Sequence, residues 1–263
     1  TGGDGAIDLN AGTDLFVNND AVVSTVGTGA ITGDAVRAIS ISSNVATTTL
    51  QTVGGAITLT ANRGVAAVTG DFIGISIDDA IVTATTGNIS LDGRSGDTDD
   101  TTNDGIALTS GTVVSTTGAG SGTITFDGDG VSGGGDGIFI TDAGTRVTSV
   151  DGNIILTGDS VDSDGVAIQS GAVISSTGSA TITLIGTASV DGVFITDAGS
   201  QVTSVTGAIS IIGNSTTAEG VNIEDGAAVI STGTALISIN GTANTASASD
   251  GVEIDGGSIT SGA

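Results

Sequence analysis

The chain has 263 residues, of which 45 are Gly and none is Pro, Cys, Met, Trp, Tyr or His. Its 29 Asp and Glu stand against four Arg (Arg37, Arg63, Arg94, Arg146), a formal charge of −25 at neutral pH. That balance repels nucleic acid and anionic membrane surfaces, the missing Cys excludes disulfide and thiolate chemistry, and the Gly, Thr, Ser and Val content disfavours helix. No run of about 18 apolar residues offers a membrane span, and 38% hydrophobic residues in strict alternation argue against disorder.

Short runs of alternating apolar residues begin at once. Ile7 and Leu9 predict one strand, Leu15 and Val17 a second, and residues 22–26 a third, with Phe16 pointing away from the apolar face. Residues 34–70 carry strands at Ile39, Leu50 and Ile57, then an excursion over 62–70. Residues 71–103 bring Ile75/Ile77 and Ile89/Leu91, followed by the longest acidic turn, DGRSGDTDDTTN, starting at Asp92.

Beyond Asp104 the pattern tightens into a repeat. DGIFITDAGTRVTSV from Asp136 returns almost unchanged as DGVFITDAGSQVTSV from Asp191. A shorter relative starts at Asp164, so successive starts lie 28 and 27 residues apart. An acid and a Gly precede each first strand: Asp104-Gly105, Asp136-Gly137, Asp164-Gly165, Asp191-Gly192, Glu219-Gly220 and Asp250-Gly251. A unit of this size, with three short strands and three turns, cannot bury its own apolar face and must stack on its neighbours. The expected architecture is all-β: a right-handed three-stranded parallel β-helix (β-solenoid) of about 28-residue coils without helix. It forms a single unit over residues 1–263 of about nine coils. Its right hand follows from the handedness of parallel crossovers. Nine rungs at about 4.8 Å make a rod on the order of 45 Å. The absence of capping segments reads as a segment or subunit of a longer filament, and the varying loop between third and first strands reads as the adaptable, solvent-facing corner.

Two kinds of candidate site follow. The acid before each Gly belongs first to turn chemistry, since Asp bonds a tight turn and Gly supplies positive φ. Stacked carboxylates also attract counter-ions, and several turns crowd oxygen donors of the kind calcium takes: Asp97, Asp99, Asp100 and Asp104; Asp127, Asp129 and Asp136; Asp159, Asp162 and Asp164. The outward first-strand position reads Phe16, Ser40, Ser76, Ala107, Phe139, Ala167, Phe194, Asn222, Glu253. Sharing by Asn and Glu predicts that it faces water, and Phe16, Phe139 and Phe194 then form a candidate lateral interaction face. The outward third-strand hydroxyls could bind ice or sugar, but Asp8 and Ile155 interrupt them. A polysaccharide-degrading enzyme would need only paired carboxylates. Against it, there is no His, Lys or Cys, and the acids occupy repeated positions, so a non-catalytic chain is expected.

The repeat grammar, DGVxI followed by G, V, S, TG and alternating Ile with no Cys, resembles the repeat region of filamentous haemagglutinin-like giant exoproteins over essentially the whole chain. The resemblance implies export, an extracellular or cell-surface location, and a structural or adhesive filament or stalk. Calcium could rigidify or cross-link it. The expected partners are other copies of the chain, end to end or side by side, and cell-surface or matrix glycans. The alternative reading is a glycan-binding stalk module.

Overall fold

The computed structural model describes residues 4–64, 68–98, 103–131, 133–244 and 249–262. Among these there are 27 strands and no helix. They sort into three nine-stranded sheets, and each strand pairs with its counterpart one coil away. The third-strand sheet runs from Ile7–Ala11 to Ile237–Thr242, the first-strand sheet from Leu15–Asn18 to Val252–Asp255, and the second-strand sheet from Val22–Ser24 to Ser258–Ser261. All the strand pairs are parallel, as in the register Ile106, Ile138, Val166, Val193, Val221. The fold is a β-solenoid of nine rungs.

One rung shows why these residues fold this way. Val193–Ile195 points Val193 and Ile195 inward, Gln201–Ser204 points Val202 and Ser204 inward, and Ile209–Ser215 points Ile209, Ile211, Gly213 and Ser215 inward. Between the first two strands, Asp197 (φ 73°) and Gly199 (φ 98°) turn the chain through the left-handed region, which Asp tolerates and Gly adopts without cost. The aliphatic side chains then stack like on like, fully buried over most of the length. Each contributes about 1.5–3 kcal/mol. No rung could gather that burial alone.

From Gly93 onward the corner after the third strand is built from two glycine columns. A Cβ placed on Gly158, Gly186 or Gly213 would land on the carbonyl of Gly165, Gly192 or Gly220 respectively. The Gly of each acid-Gly pair is thus required by close backbone approach, and at these positions positive φ plays no part.

Four expectations need correction. Val22 and Val26, at the ends of the expected strand over 22–26, are exposed, because the inward second-strand positions there are Val23 and Thr25. Apolar identity misleads there, since the inner wall at that corner is lined with hydroxyls. The third-strand ladder also has a member at Ile31–Ala35, where Gly33 takes the place of a Leu. A Cβ on Gly33 would come within 2.8 Å of Leu59 Cδ2 and 3.1 Å of Leu15 Cδ2, so these neighbours fill its space. Length variation is not confined to one corner, because residues 43–48 form an extended loop between a first and a second strand. Finally, the outward first-strand position does not uniformly face water. Ala107, Ala167 and Asn222 are buried, two of them small and flanked in register by Phe139 or Phe194.

Candidate functional site

The outer face of the first-strand sheet is hollowed by a groove of about 600 Å³ that runs across the rungs. Its floor is the outward row Ser40, Ser76, Ala107, Phe139, Ala167, which are register partners in successive strands. One side carries Asp104, Asp136 and Asp164, and the other Asp78, Thr109 and Gln169. Strand alternation places the polar row, two residues after the floor row, and the acid row stands three residues before the floor row, in the turn that leads into each first strand.

The acid row is first of all a structural ladder. Asp104 Oδ1 accepts the backbone N–H of Asp136 at 2.8 Å, Asp136 Oδ1 that of Asp164 at 3.0 Å, Asp164 Oδ1 that of Asp191 at 2.8 Å, and Asp191 Oδ1 that of Glu219 at 2.9 Å. The carbonyls of the same acids accept the N–H of the preceding rung's Gly, as in Gly105 to Asp136 at 2.9 Å. The ladder thus satisfies backbone donors at a buried corner and engages one oxygen of each carboxyl.

Burial makes these carboxyls unusual acids. It raises Asp104 to about 8, with the charge of Asp136 adding to the effect. It raises Asp164 to about 7, again with Asp136 contributing. Asp191 rises to about 6, by burial and against the bond from the Glu219 amide, and Asp136 is also raised by burial. At neutral pH Asp104 is mostly protonated, so this side of the groove offers hydroxyl donors as well as acceptors.

The structure separates the other predicted ligands. Asp127 and Asp129, together with Asp92, surround Arg63. Its guanidinium pairs with Asp129 and Asp92 and lies 3.2 Å from Asp127 Oδ1. Asp97 accepts the Gly70 N–H at 3.0 Å, and Asp162 accepts the Gly133 N–H at 3.3 Å. Asp159 is held up by burial and by the neighbouring charge of Asp129. Asp99 and Asp100 lie outside the described residues. Among the described residues no three acids come together closely enough to hold a metal ion. Of the three Phe expected to form an interaction face, Phe16 is exposed, Phe139 is half-buried in the groove floor, and Phe194 is half-buried two rungs further along the same row.

Sequence reasoning missed Asp78, Thr109 and Gln169, although a step of two from the floor row would have found them. It also missed Arg63 as a partner of Asp127 and Asp129. That pairing spans 64 and 66 residues and depends on the path of the loop after Ala61.

These features define the chain as a parallel β-solenoid with an acidic amphipathic groove along one face. No family model matches it, and no curated protein or solved structure shows significant similarity to it.

Proposed function

We propose that this chain is a non-catalytic structural stalk of an extracellular surface or matrix, and that its first-strand face binds a neutral glycan. The groove carries the reading. It combines one aromatic ring, Phe139, with flanking small residues and two rows of hydroxyl, amide and carboxyl groups, the inventory that pairs with the apolar faces and equatorial hydroxyls of a sugar chain. Its axis crosses the rungs, so an extended polymer would meet the same kinds of group once per rung. The lining includes no Arg or Lys, and the chain's charge is −25, which disfavours acidic polysaccharides. Three continuous sheets around an aliphatic core provide the stiffness of a stalk.

A glycan array tests the reading. Retention of neutral oligosaccharides, lost in Phe139→Ala and absent for uronic-acid polymers, supports it. Retention that is indifferent to Phe139, or confined to acidic glycans, overturns it. Release of reducing ends from a bound oligosaccharide would replace binding with hydrolysis.

A further inference from the structure

Although the chain carries 29 acids, none lies in the nine second strands, from Val22–Ser24 to Ser258–Ser261. The other two sheets present acids on their outer faces: Asp78, Glu224 and Glu253 from first strands, and Asp34, Asp92 and Asp159 from third strands. The outer face of the second-strand sheet is made of Thr, Ser, Val and Ile rows in register. Ser115, Thr148 and Ser175 belong to one row, and Val113, Arg146 and Val173 to the next. Its hydroxyls bond along the row, as Ser115 Oγ does to Thr83 Oγ1 at 3.0 Å, while Val22, Val53 and Val205 stand exposed on it.

An acid-free face is where two copies of a chain of charge −25 can meet. On the other faces, contact would press like charges together well inside the screening length of about 8 Å in physiological salt. Strands at about 4.8 Å spacing and about 3.3 Å per residue give this face an area of roughly 600 Å². Two such patches bury roughly 1,200 Å², which reaches the range of stable interfaces.

The charges of the fifth rung set the orientation. Arg146 opens the strand Arg146–Ser149, is exposed, and makes no ion pair among the described residues. Asp151 stands at the far end of the same strand. There the Gly120 N–H at 2.9 Å and the Ser179 hydroxyl at 3.1 Å hold its carboxyl below the usual range, so it is charged at neutral pH. Thr148 lies between the two. A two-fold axis parallel to the rod and passing over Thr148 turns the face onto itself, and Arg146 of each copy then meets Val150 and Asp151 of the other. An axis along the strands would instead superpose the fifth of nine rungs on itself and set Arg146 against Arg146.

We infer that the outer face of the second-strand sheet is a self-association surface, through which two copies pack side by side, pointing the same way, with reciprocal Arg146–Asp151 pairs. The contact does not use the Phe row that the sequence suggested. It leaves the groove on the first-strand face free, and it is independent of the glycan reading.

Sedimentation equilibrium of the intact chain in physiological salt, over a range of concentrations, is the test. The expected result is a monomer–dimer equilibrium whose dissociation constant rises about tenfold or more in Arg146→Glu and in Thr148→Asp. Adding Asp151→Arg to Arg146→Glu is expected to recover most of the loss, because the reciprocal pairs return with their signs exchanged. Far-UV circular dichroism checks that the variants keep their fold. Arg146 and Thr148 point outward, so their single variants carry the test if the double variant misfolds. A chain that stays monomeric at every concentration overturns the inference. So does association that is unchanged in both single variants, including open-ended growth of the kind that end-to-end stacking would give. A folded double variant no better than Arg146→Glu overturns the Arg146–Asp151 pairing.

Discussion

The hydroxyl of Thr112, fully buried, donates to the main-chain carbonyl of Ile77 at 2.9 Å, 35 residues earlier in the chain. The same oxygen lies 3.5 Å from the Ala80 N–H. In later rungs Thr145 and Ser200, at the same corner, accept from the N–H of Gly111 and Gly171 at 2.9 and 3.0 Å. Buried hydroxyls therefore staple the corner between first and second strands, where the left-handed turn leaves backbone groups without strand partners. Thr112→Val keeps the shape and removes the bond. A loss of about 1–3 kcal/mol is expected from urea denaturation, and an unchanged midpoint would show that the staple is idle.

At the next corner the hydroxyls of Thr52 and Thr116 are also bonded, but two later rungs behave differently. Ser176 and Ser204 are nearly fully buried, and neither hydroxyl has a partner. Removing an unsatisfied polar group removes its desolvation cost, so Ser176→Ala is expected to be neutral or to stabilise by up to about 1 kcal/mol. Comparing its thermal midpoint with that of Thr112→Val separates the two corners.

The carboxyl ladder makes stability depend on pH in an uncommon direction. Asp104 rises from 3.8 to about 8 and Asp164 to about 7 on folding, so the folded chain binds protons that the unfolded chain releases. Their contribution is complete below pH about 4 and is lost as pH rises through about 7 to 8. The thermal midpoint should fall across that window. In the double variant Asp104→Asn with Asp164→Asn the fall should be much shallower, because amide oxygens can still accept the ladder bonds without titrating. Repulsion among the remaining acids is shared by both proteins and drops out of the comparison. Equal slopes would remove the ladder as the cause.

The glycine columns lead to a paired prediction. In Gly186→Ala the new methyl meets the Gly192 carbonyl, which accepts the Val166 N–H at 3.1 Å. The expected cost is about 3 kcal/mol. Gly12 has nothing within 4 Å of an added Cβ and no positive φ. Gly12→Ala should therefore stabilise by about 0.4–1 kcal/mol through the unfolded chain. Denaturant midpoints for the two variants are expected to move in opposite directions.

Much of the architecture could be read from the residues. The acid-Gly pairs set the period, and pairs such as Ile75/Ile77 and Ile89/Leu91 identified two of the three sheets, because apolar alternation there coincides with burial. The second-strand sheet was harder. Its inward positions alternate an aliphatic residue with a hydroxyl, as in Val202 and Ser204, so apolar alternation there does not track burial. The site was legible by halves. Asp104, Asp136 and Asp164 were singled out for one reason and Phe139 for another, and only the register shows that they border one groove. Asn222 looked like a surface residue by its type. Its burial follows from its neighbours at Asp191, Glu224 and Glu253, a relationship across rungs that no single stretch of sequence carries.

Every carboxyl of the ladder reaches forward only to the next rung, and every strand pairs only with its counterparts one coil before and after. The rod is thus a tandem of interchangeable modules whose length evolution can edit in whole quanta. Excision or duplication of residues 164–190 rejoins Ser163 or Val190 to an equivalent Asp-Gly step. Spacing between whatever is attached at either side can drift by one coil at a time without any new packing having to be invented.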